Sequence, residues 1–278
     1  MNDRRKTYQD RSAKPPRAPR EAPPARLAEE EEGLSRVAGR NAVKELLASE
    51  RDVEKIYVRR GEREGSIRLL VAVAVERGIP VIEAERQKLD LLAGGAQHQG
   101  IVAVVAEKNY ASLDEVFAAI AERGERPFLV MCDGVTDPHN LGAIIRSAEC
   151  CGAHAVIIPK RRSAGLSPVV AKASAGALMH MPIVRVPNLP TCAEELKERG
   201  VWLYAADMGG PAVYESDLSG SVCVVLGNEG EGISRLLKEK CDFTVSIPLY
   251  GKVDSMNVSC AAAVILAEAA KQKHRSEV

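Results

Sequence analysis

Apolar and polar positions along the chain alternate with two periods, in two separate stretches. Between residues 35 and 107, Lys55–Ile56–Tyr57–Val58–Arg59 has the two-residue period of a strand, and Ser66 to Arg77 has helical spacing. Pro80 to Glu83 gives a second strand, followed by a helix around Lys88 to Leu92 and a strand at Ile101 to Val105. These elements predict a small α/β domain over 35–107. After a linker near Glu107 to Ala111, Ser112 and Glu115 have the spacing of a capping box and open a helix that runs through Ala121. The remainder, 112–278, carries short apolar runs at Phe128–Met131, Ala155–Ile158, Ile183–Val186, Val201–Tyr204, Val222–Leu226 and Thr244–Ile247. Helical stretches separate most of them, one opening at a second capping box, Thr191 to Glu194. Short apolar strands alternating with helices predict a parallel sheet covered on both faces.

Residues 1–34 break this pattern. Arg4, Arg5, Lys6, Arg11, Lys14, Arg17, Arg20 and Arg26 are interspersed with prolines and followed by the acidic block Glu29 to Glu32. Such a segment buries too little apolar surface to offset its ordering entropy, so a disordered basic, Pro-rich tail is expected. It reads either as a solvated linker or as a basic arm for phosphates.

Composition narrows the function. Thirty-eight Lys and Arg balance 38 Asp and Glu, which excludes a globally basic nucleic-acid coat protein. No apolar run reaches the length of a spanning helix, and no secretory leader is recognisable at the N-terminus, so no membrane is expected. Seven scattered cysteines, none in a C-x-x-C pair, read as free thiols in a reducing, cytoplasmic setting, with Cys150 and Cys151 expected to be buried. No metal constellation is visible, and His139 and His180 have no nucleophile partner in the sequence. Three Phe, one Trp and six Tyr leave little material for base-stacking platforms. Any nucleic acid would be held through phosphates, shape and hydroxyls.

Parallel sheets bind ligands beyond the carboxyl ends of their strands, so the loops after strands are where chemistry is sought. After Cys132 comes Asp137–Pro138–His139–Asn140–Leu141–Gly142, with Arg146 about 9 Å further along the helix axis than Asn140. Asn140 has the chemistry of an N-cap, and either a cap or a site residue fits. After Leu226 comes Gly227–Asn228–Glu229–Gly230–Glu231–Gly232, whose glycines permit close backbone approach to a ligand. It matches neither a Rossmann nor a Walker loop. After Ile247 come Leu249, then Asp254–Ser255–Met256–Asn257, where Ser255 and Asn257 can point the same way into a site or Asn257 can cap the last helix. Lys160–Arg161–Arg162 follows another strand and reads as a phosphate contact or as a solvated turn.

In this order, the loops resemble the three motifs of the SpoU (TrmH) family of RNA ribose 2′-O-methyltransferases. The carriers are Asn140-x-Gly142-x-x-x-Arg146, Leu226-Gly-Asn-Glu229-Gly-x-Gly232, and Ile247-Pro-Leu249 with Ser255-Met-Asn257-Val-Ser259. Residues 36–106, beginning Val37-Ala-Gly-Arg40, resemble that family's ribosomal protein L30e-like substrate-binding domain. The two-domain match is most similar to the bacterial 23S rRNA guanosine-2′-O-methyltransferase branch. The resemblance implies a parallel-sheet methyltransferase domain with a trefoil knot over 112–278, a homodimer with shared active sites, and S-adenosylmethionine as cofactor. It implies that Arg146, Asn140, Glu229, Ser255 and Asn257 are catalytic. It places Leu226, Gly227, Asn228, Gly230, Ile247, Leu249, Met256 and Asn257 around the cofactor. Arg40, Arg59, Arg60, Lys160, Arg161 and Arg162 are the candidate RNA contacts. The implied reaction is methyl transfer to a ribose 2′-hydroxyl, of a guanosine in 23S rRNA. A tRNA substrate and a non-catalytic RNA-binding or ribosome-assembly factor are the alternatives, the second disfavoured by the intact motif residues.

Overall fold

A computed structural model describes residues 35–49, 51–61, 65–228 and 230–275. The expected N-terminal tail and Glu229 lie outside the described residues. Two sheets form. The first is four-stranded, in the order β1 (Arg36–Ala38), β4 (Ile101–Val105), β2 (Val53–Arg59), β3 (Val81–Ala84). β4 runs antiparallel to both neighbours, while β2 and β3 are parallel. Helices α1 (Arg40–Ala48) and α2 (Ser66–Glu76) bury Val43, Leu46, Ile67 and Leu70 against Ile56, Val58 and Ala103. Helix α3 (Arg86–Ala93) packs Leu89 and Leu92 on the opposite face, against Tyr57 and Val102.

The second sheet has six strands, ordered β10 (Phe243–Val245), β8 (Trp202–Ala206), β9 (Val222–Leu226), β5 (Phe128–Cys132), β6 (Ala155–Pro159), β7 (Ile183–Val186). Every pairing is parallel, as the apolar runs predict. The strand period splits β5 cleanly. Leu129 and Met131 face α4 (Leu113–Arg123), α8 (Leu189–Glu198) and α9 (Arg235–Lys238), where Val116, Ile120, Leu196 and Leu237 complete the core. Phe128 and Val130 face α5 (Pro138–Cys150), α6 (Pro168–Ala173), α7 (Ala177–His180) and α10 (Val258–Arg275), meeting Leu141, Ile145, Val170 and Ile265. Both faces of the sheet are therefore covered.

Local capping agrees with expectation at α4 and departs from it at two other helices. Ser112 Oγ accepts from the Glu115 amide at 3.2 Å while the Glu115 carboxylate accepts from the Ser112 amide at 2.6 Å, the reciprocal box that opens α4. These bonds hold the Glu115 carboxyl below its ordinary pKa. At α8 the cap is Asn188, whose Oδ1 accepts from the Thr191 amide at 3.0 Å. The helix begins before Thr191, because Pro190 suits the first turn, where no N–H is needed. At α5 the cap is Asp137, accepting from the His139 amide at 2.8 Å, again with proline in the first turn. Asn140 thus lies inside the helix and is buried. All seven cysteines are free, but at the end of α5 Cys150 is exposed and Cys151 half-buried, so neither is buried as expected.

The segment joining the sheets is hydrogen-bonded along its length. Glu107 N–H donates to Leu166 at 3.0 Å, Tyr110 N–H to the Asp52 carboxylate at 2.7 Å, and Ala111 N–H to Ile183 at 2.8 Å, so that Ala111 pairs with Val184 of β7. Helices α5 and α6 meet at Gly142. A Cβ there would fall 2.5 Å from Ala173 Cβ and 2.9 Å from the Val170 carbonyl oxygen. Gly142→Ala should therefore cost about 1–3 kcal/mol through overpacking, read as a lowered Tm. An unchanged Tm would mean the two helices are free to separate.

Candidate active site

The carboxyl ends of β8, β9 and β10 open onto a pocket of about 210 Å³, closed from below by the first turns of α10. Three loops build it. Ala206, Asp207 and Met208 leave β8; Leu226, Gly227 and Asn228 leave β9; Ser246, Ile247 and Leu249 leave β10, with Asp254, Ser255 and Met256 returning toward α10. This is where a parallel sheet is expected to hold a ligand.

The loop after β9 is shaped by its own hydrogen bonds. Asn228 and Gly232 exchange backbone bonds, each at 3.1 Å, and Asn228 Oδ1 accepts from the amides of Gly230 and Glu231 at 2.8 and 2.6 Å. Asp133, at the end of β5, accepts from the Ser234 amide at 2.8 Å and ties the far side of the loop to the sheet. Gly232, at φ +68, takes the left-handed conformation that favours glycine. Asn228 is thus mainly an architect of the loop, while its side chain also borders the pocket.

The pocket's charge is one-sided. Among its described lining residues the charged ones are Asp207 and Asp254; no Lys, Arg or His takes part. Asp207 is bridged on its outer side by Lys238. The rest of the wall is backbone, small polar groups and apolar side chains such as Leu226, Ile247, Met256 and Ile265. Such a wall suits a ligand carrying positive charge and an apolar, hydrogen-bonding ring, and is poorly suited to phosphates, which are ordinarily met by cations or helix N-termini.

Of the cofactor candidates, Leu226, Gly227, Asn228, Ile247, Leu249 and Met256 line this pocket. Gly230 and Asn257 do not. Gly230 is exposed at the tip of its loop. Asn257 turns instead to Asn140, donating from Nδ2 to Asn140 Oδ1 at 3.0 Å, while its own Oδ1 accepts from Ser259 and Cys260 amides and caps α10. Ser255 does line the pocket, so Ser255 and Asn257 diverge rather than point together. The Asn140–Asn257 bond fastens the first turn of α5 to the first turn of α10 beside the pocket wall.

Arg146 is exposed, two turns further along α5, and is not among the pocket's lining residues. It has no hydrogen bond or ion pair to any of the described residues. Sequence reasoning missed Ala206–Asp207–Met208. The loop follows a parallel strand just as the pocket's other two do, and its aspartate beside small residues was the available signal.

The RNA-contact candidates separate into braced and open cations. Arg40 knits the first sheet's loops together, donating from Nε to the Gln99 carbonyl at 3.0 Å and from Nη1 to Ser66 Oγ at 3.4 Å. Arg60 pairs with Glu85 at 2.9 Å. Lys160 donates to the Arg77 carbonyl at 3.2 Å, and partial burial beside Arg185 lowers its pKa. Arg161 and Arg162 are exposed, Arg162 in the left-handed region at φ +58. Arg59 borders a groove of about 470 Å³ with Arg68, Ile67 and Val71 on the first sheet's rim.

Comparison with known proteins gives a consistent answer. Residues 127–267 match the family model described as the SpoU rRNA Methylase family, and residues 36–111 match the one described as RNA 2′-O ribose methyltransferase substrate binding. A putative TrmH family tRNA/rRNA methyltransferase, YacO, of Bacillus subtilis (strain 168) is 42% identical over 239 residues, covering 86% of this chain and 96% of that protein. The 23S rRNA (guanosine-2′-O-)-methyltransferase RlmB of Neisseria meningitidis serogroup B is 40% identical over 230 residues, covering 82% and 91%. Among solved structures, the SpoU methyltransferase AviRb from Streptomyces viridochromogenes, in complex with AdoMet, superposes with a TM-score of 0.55 at 29% identity, covering 87% of this chain and 92% of that one. The first of these models spans all six strands of the second sheet, including the three whose carboxyl ends build the pocket, and relatives of this identity match along nearly their whole lengths; the chain belongs to the SpoU rRNA methylase family.

Proposed function

We propose that this protein transfers a methyl group from S-adenosylmethionine to the ribose 2′-hydroxyl of a guanosine in 23S rRNA. The observation that carries the cofactor assignment is the pocket's charge, with carboxylates of Asp207 and Asp254 and no lining cation among the described residues. A phosphate-free nucleoside bearing a sulfonium and an ammonium matches that wall, and a dinucleotide does not. AviRb, bound to AdoMet in its crystal structure, supports the same assignment. The similarity to RlmB supports the rRNA guanosine; the tRNA/rRNA wording of the Bacillus relative keeps tRNA as the second substrate to be tested.

When bound, S-adenosylmethionine supplies a methyl group already activated on sulfur, so the difficult partner is the hydroxyl. Gly227, Ile247 and Met256 hold the adenosine by backbone and apolar contact. Asn140 and Asn257 keep each other oriented beside it, and Ser255 and Glu229 add hydrogen bonds to the reacting groups. Arg146 supplies a guanidinium to the oxygen as negative charge develops on it. A guanidinium keeps its proton at ordinary pH, so Arg146 acts as a stabiliser and not as a base.

The active enzyme is a homodimer in this reading. Arg146 stands away from its own pocket and without a described partner, which is the disposition of a residue that completes a neighbour's site. Cys260, Val264 and Ala267 leave a small apolar stripe exposed along α10, a surface suited to helix packing between copies. The same reading makes the loops around the pocket a trefoil knot, and the first sheet an L30e-like RNA-binding domain of 35–107 ahead of a methyltransferase domain of 112–278. It places the enzyme in the cytoplasm, in keeping with seven free cysteines.

The test is methyl transfer from labelled S-adenosylmethionine to unmodified 23S rRNA and unmodified tRNA, side by side, with the label located by resistance to alkaline cleavage. One resistant guanosine in 23S rRNA is the expected result. Label in tRNA alone would keep the chemistry and discard the substrate. No label in either, with cofactor binding confirmed, would sink the catalytic reading on free RNA.

A further inference from the structure

One buried carboxylate sits at the seam between the two sheets. Glu54 lies on β2 with its side chain 9% exposed, and Arg185, on β7, reaches it from the second sheet with the same exposure. Arg185 Nη1 donates to Glu54 Oε2 at 2.8 Å, and Nη2 donates to the Val53 carbonyl at 3.1 Å. The Leu166 amide and the Tyr110 hydroxyl both donate to Glu54 Oε1. The Arg185 guanidinium lies 4.0 Å from the centre of the Tyr110 ring. Burial and the adjacent Glu54 charge push the Tyr110 phenol well above its ordinary pKa, so the hydroxyl stays a donor. Gly165 makes the fit possible, since a Cβ there would fall 2.3 Å from Glu54 Oε2.

A buried ion pair adds little net stability over apolar packing of the same volume, because desolvation offsets the attraction. Its distinctive property is geometry. An apolar seam can slide, whereas three donors on one carboxylate and a two-pronged arginine are satisfied in one arrangement. What lies on each side gives that arrangement a use. On one side is the sheet whose residues match the substrate-binding model. On the other is the 160–167 segment, which carries Arg161 and Arg162 and leads into α6. Helix α6 packs on α5 at Gly142, and α5 carries Asn140 and Arg146.

We propose that Glu54, with Arg185, is a positioning residue for RNA methylation, locking the first sheet onto the loop before α6 so that RNA gripped by that sheet reaches the reacting residues at a fixed distance. The proposal rests on the reading of the protein as an RNA methyltransferase. Two linked binding surfaces gain from being held at the right spacing, and lose that gain when the link loosens.

The test is the double variant Glu54→Gln/Arg185→Met in the full chain, which removes both charges and leaves neither orphaned. It is assayed on a long 23S transcript, which reaches both surfaces, and on a short hairpin carrying only the methylated position. The expected result is a KM for the transcript raised about tenfold, with kcat, cofactor affinity and hairpin turnover unchanged. Small-angle scattering should show a larger radius of gyration at a temperature below the variant's Tm. A wild-type KM for the transcript overturns the proposal, and so does an equal loss on both RNAs, which is what a merely structural role would give. If the wild-type protein methylates neither RNA, the enzymatic reading fails on its own account. Transcript Kd without cofactor then decides the lock, and a wild-type Kd in the double variant overturns it.

Discussion

Arg146→Ala is expected to lower kcat by about 10²–10³-fold, the scale of removing one charge-stabilising donor from a reacting oxygen. Cofactor affinity should stay at its wild-type value, because Arg146 lines no part of the pocket. Stability should move by less than about 0.5 kcal/mol, since the side chain is exposed and no described residue bonds to it. Single-turnover methylation with saturating RNA reads the first quantity, and calorimetric titration with S-adenosylmethionine reads the second. Arg146→Lys should fall between the two proteins, keeping the charge while losing the planar fork that holds a hydroxyl and a phosphate together. If the alanine variant stays folded but no longer binds cofactor, the assigned role is wrong and Arg146 belongs to the pocket after all.

Gly227→Ala should weaken cofactor binding about 100-fold. A Cβ at this position would lie 2.2 Å from the carbonyl carbon of Gly232 and 2.3 Å from the Ile233 nitrogen, both backbone atoms. Neither can swing aside as a side-chain tip would. The loop is also closed by the paired bonds between Asn228 and Gly232 and by Asn228 Oδ1 on two further amides, so relief requires opening the pocket wall itself. Overpacking of this kind costs about 1–3 kcal/mol, and the upper part of that range is a hundredfold in affinity. Gly220→Ala is the matched control, just before β9 with nothing within 4 Å of its added carbon, and should bind as wild type does. Equal affinity in both variants would mean that the loop opens freely and that the cofactor does not depend on its closed form.

The strands were legible because burial on both faces writes itself as unbroken apolar runs. Phe128–Met131 and Val222–Leu226 read as strands of a parallel sheet, and they form its two central strands, β5 and β9. Strand β1, three residues long, has too little sequence to register a period. Helix α1 did carry a signal, with Val43, Leu46 and Leu47 at helical spacing, but it is only nine residues long and only those three are buried. The cap at Asn140 misled because asparagine caps well by chemistry, and Asp137 ahead of Pro138 is the stronger start. The pocket's position followed from the carboxyl-end rule, and six of the cofactor candidates line it together with Ser255. The Asn140–Asn257 bond spans 117 residues, and the seam at Glu54 and Arg185 spans 131. No local pattern encodes a contact of that range; both became visible only once the chain was folded.

The short joining segment also guards one edge of the second sheet. A parallel sheet has two rims of unpaired backbone, each a template on which a second copy could add a strand. Here the β7 rim is met by Ala111, bonded to Ile183 and paired with Val184. The β10 rim is only three residues long, and just beyond it Ser246 is bonded to Pro211 and Val213. Both rims of this sheet are thus met by the chain itself at one position each, so a second copy adding a strand here would first have to displace Ala111 or the 211–213 turn.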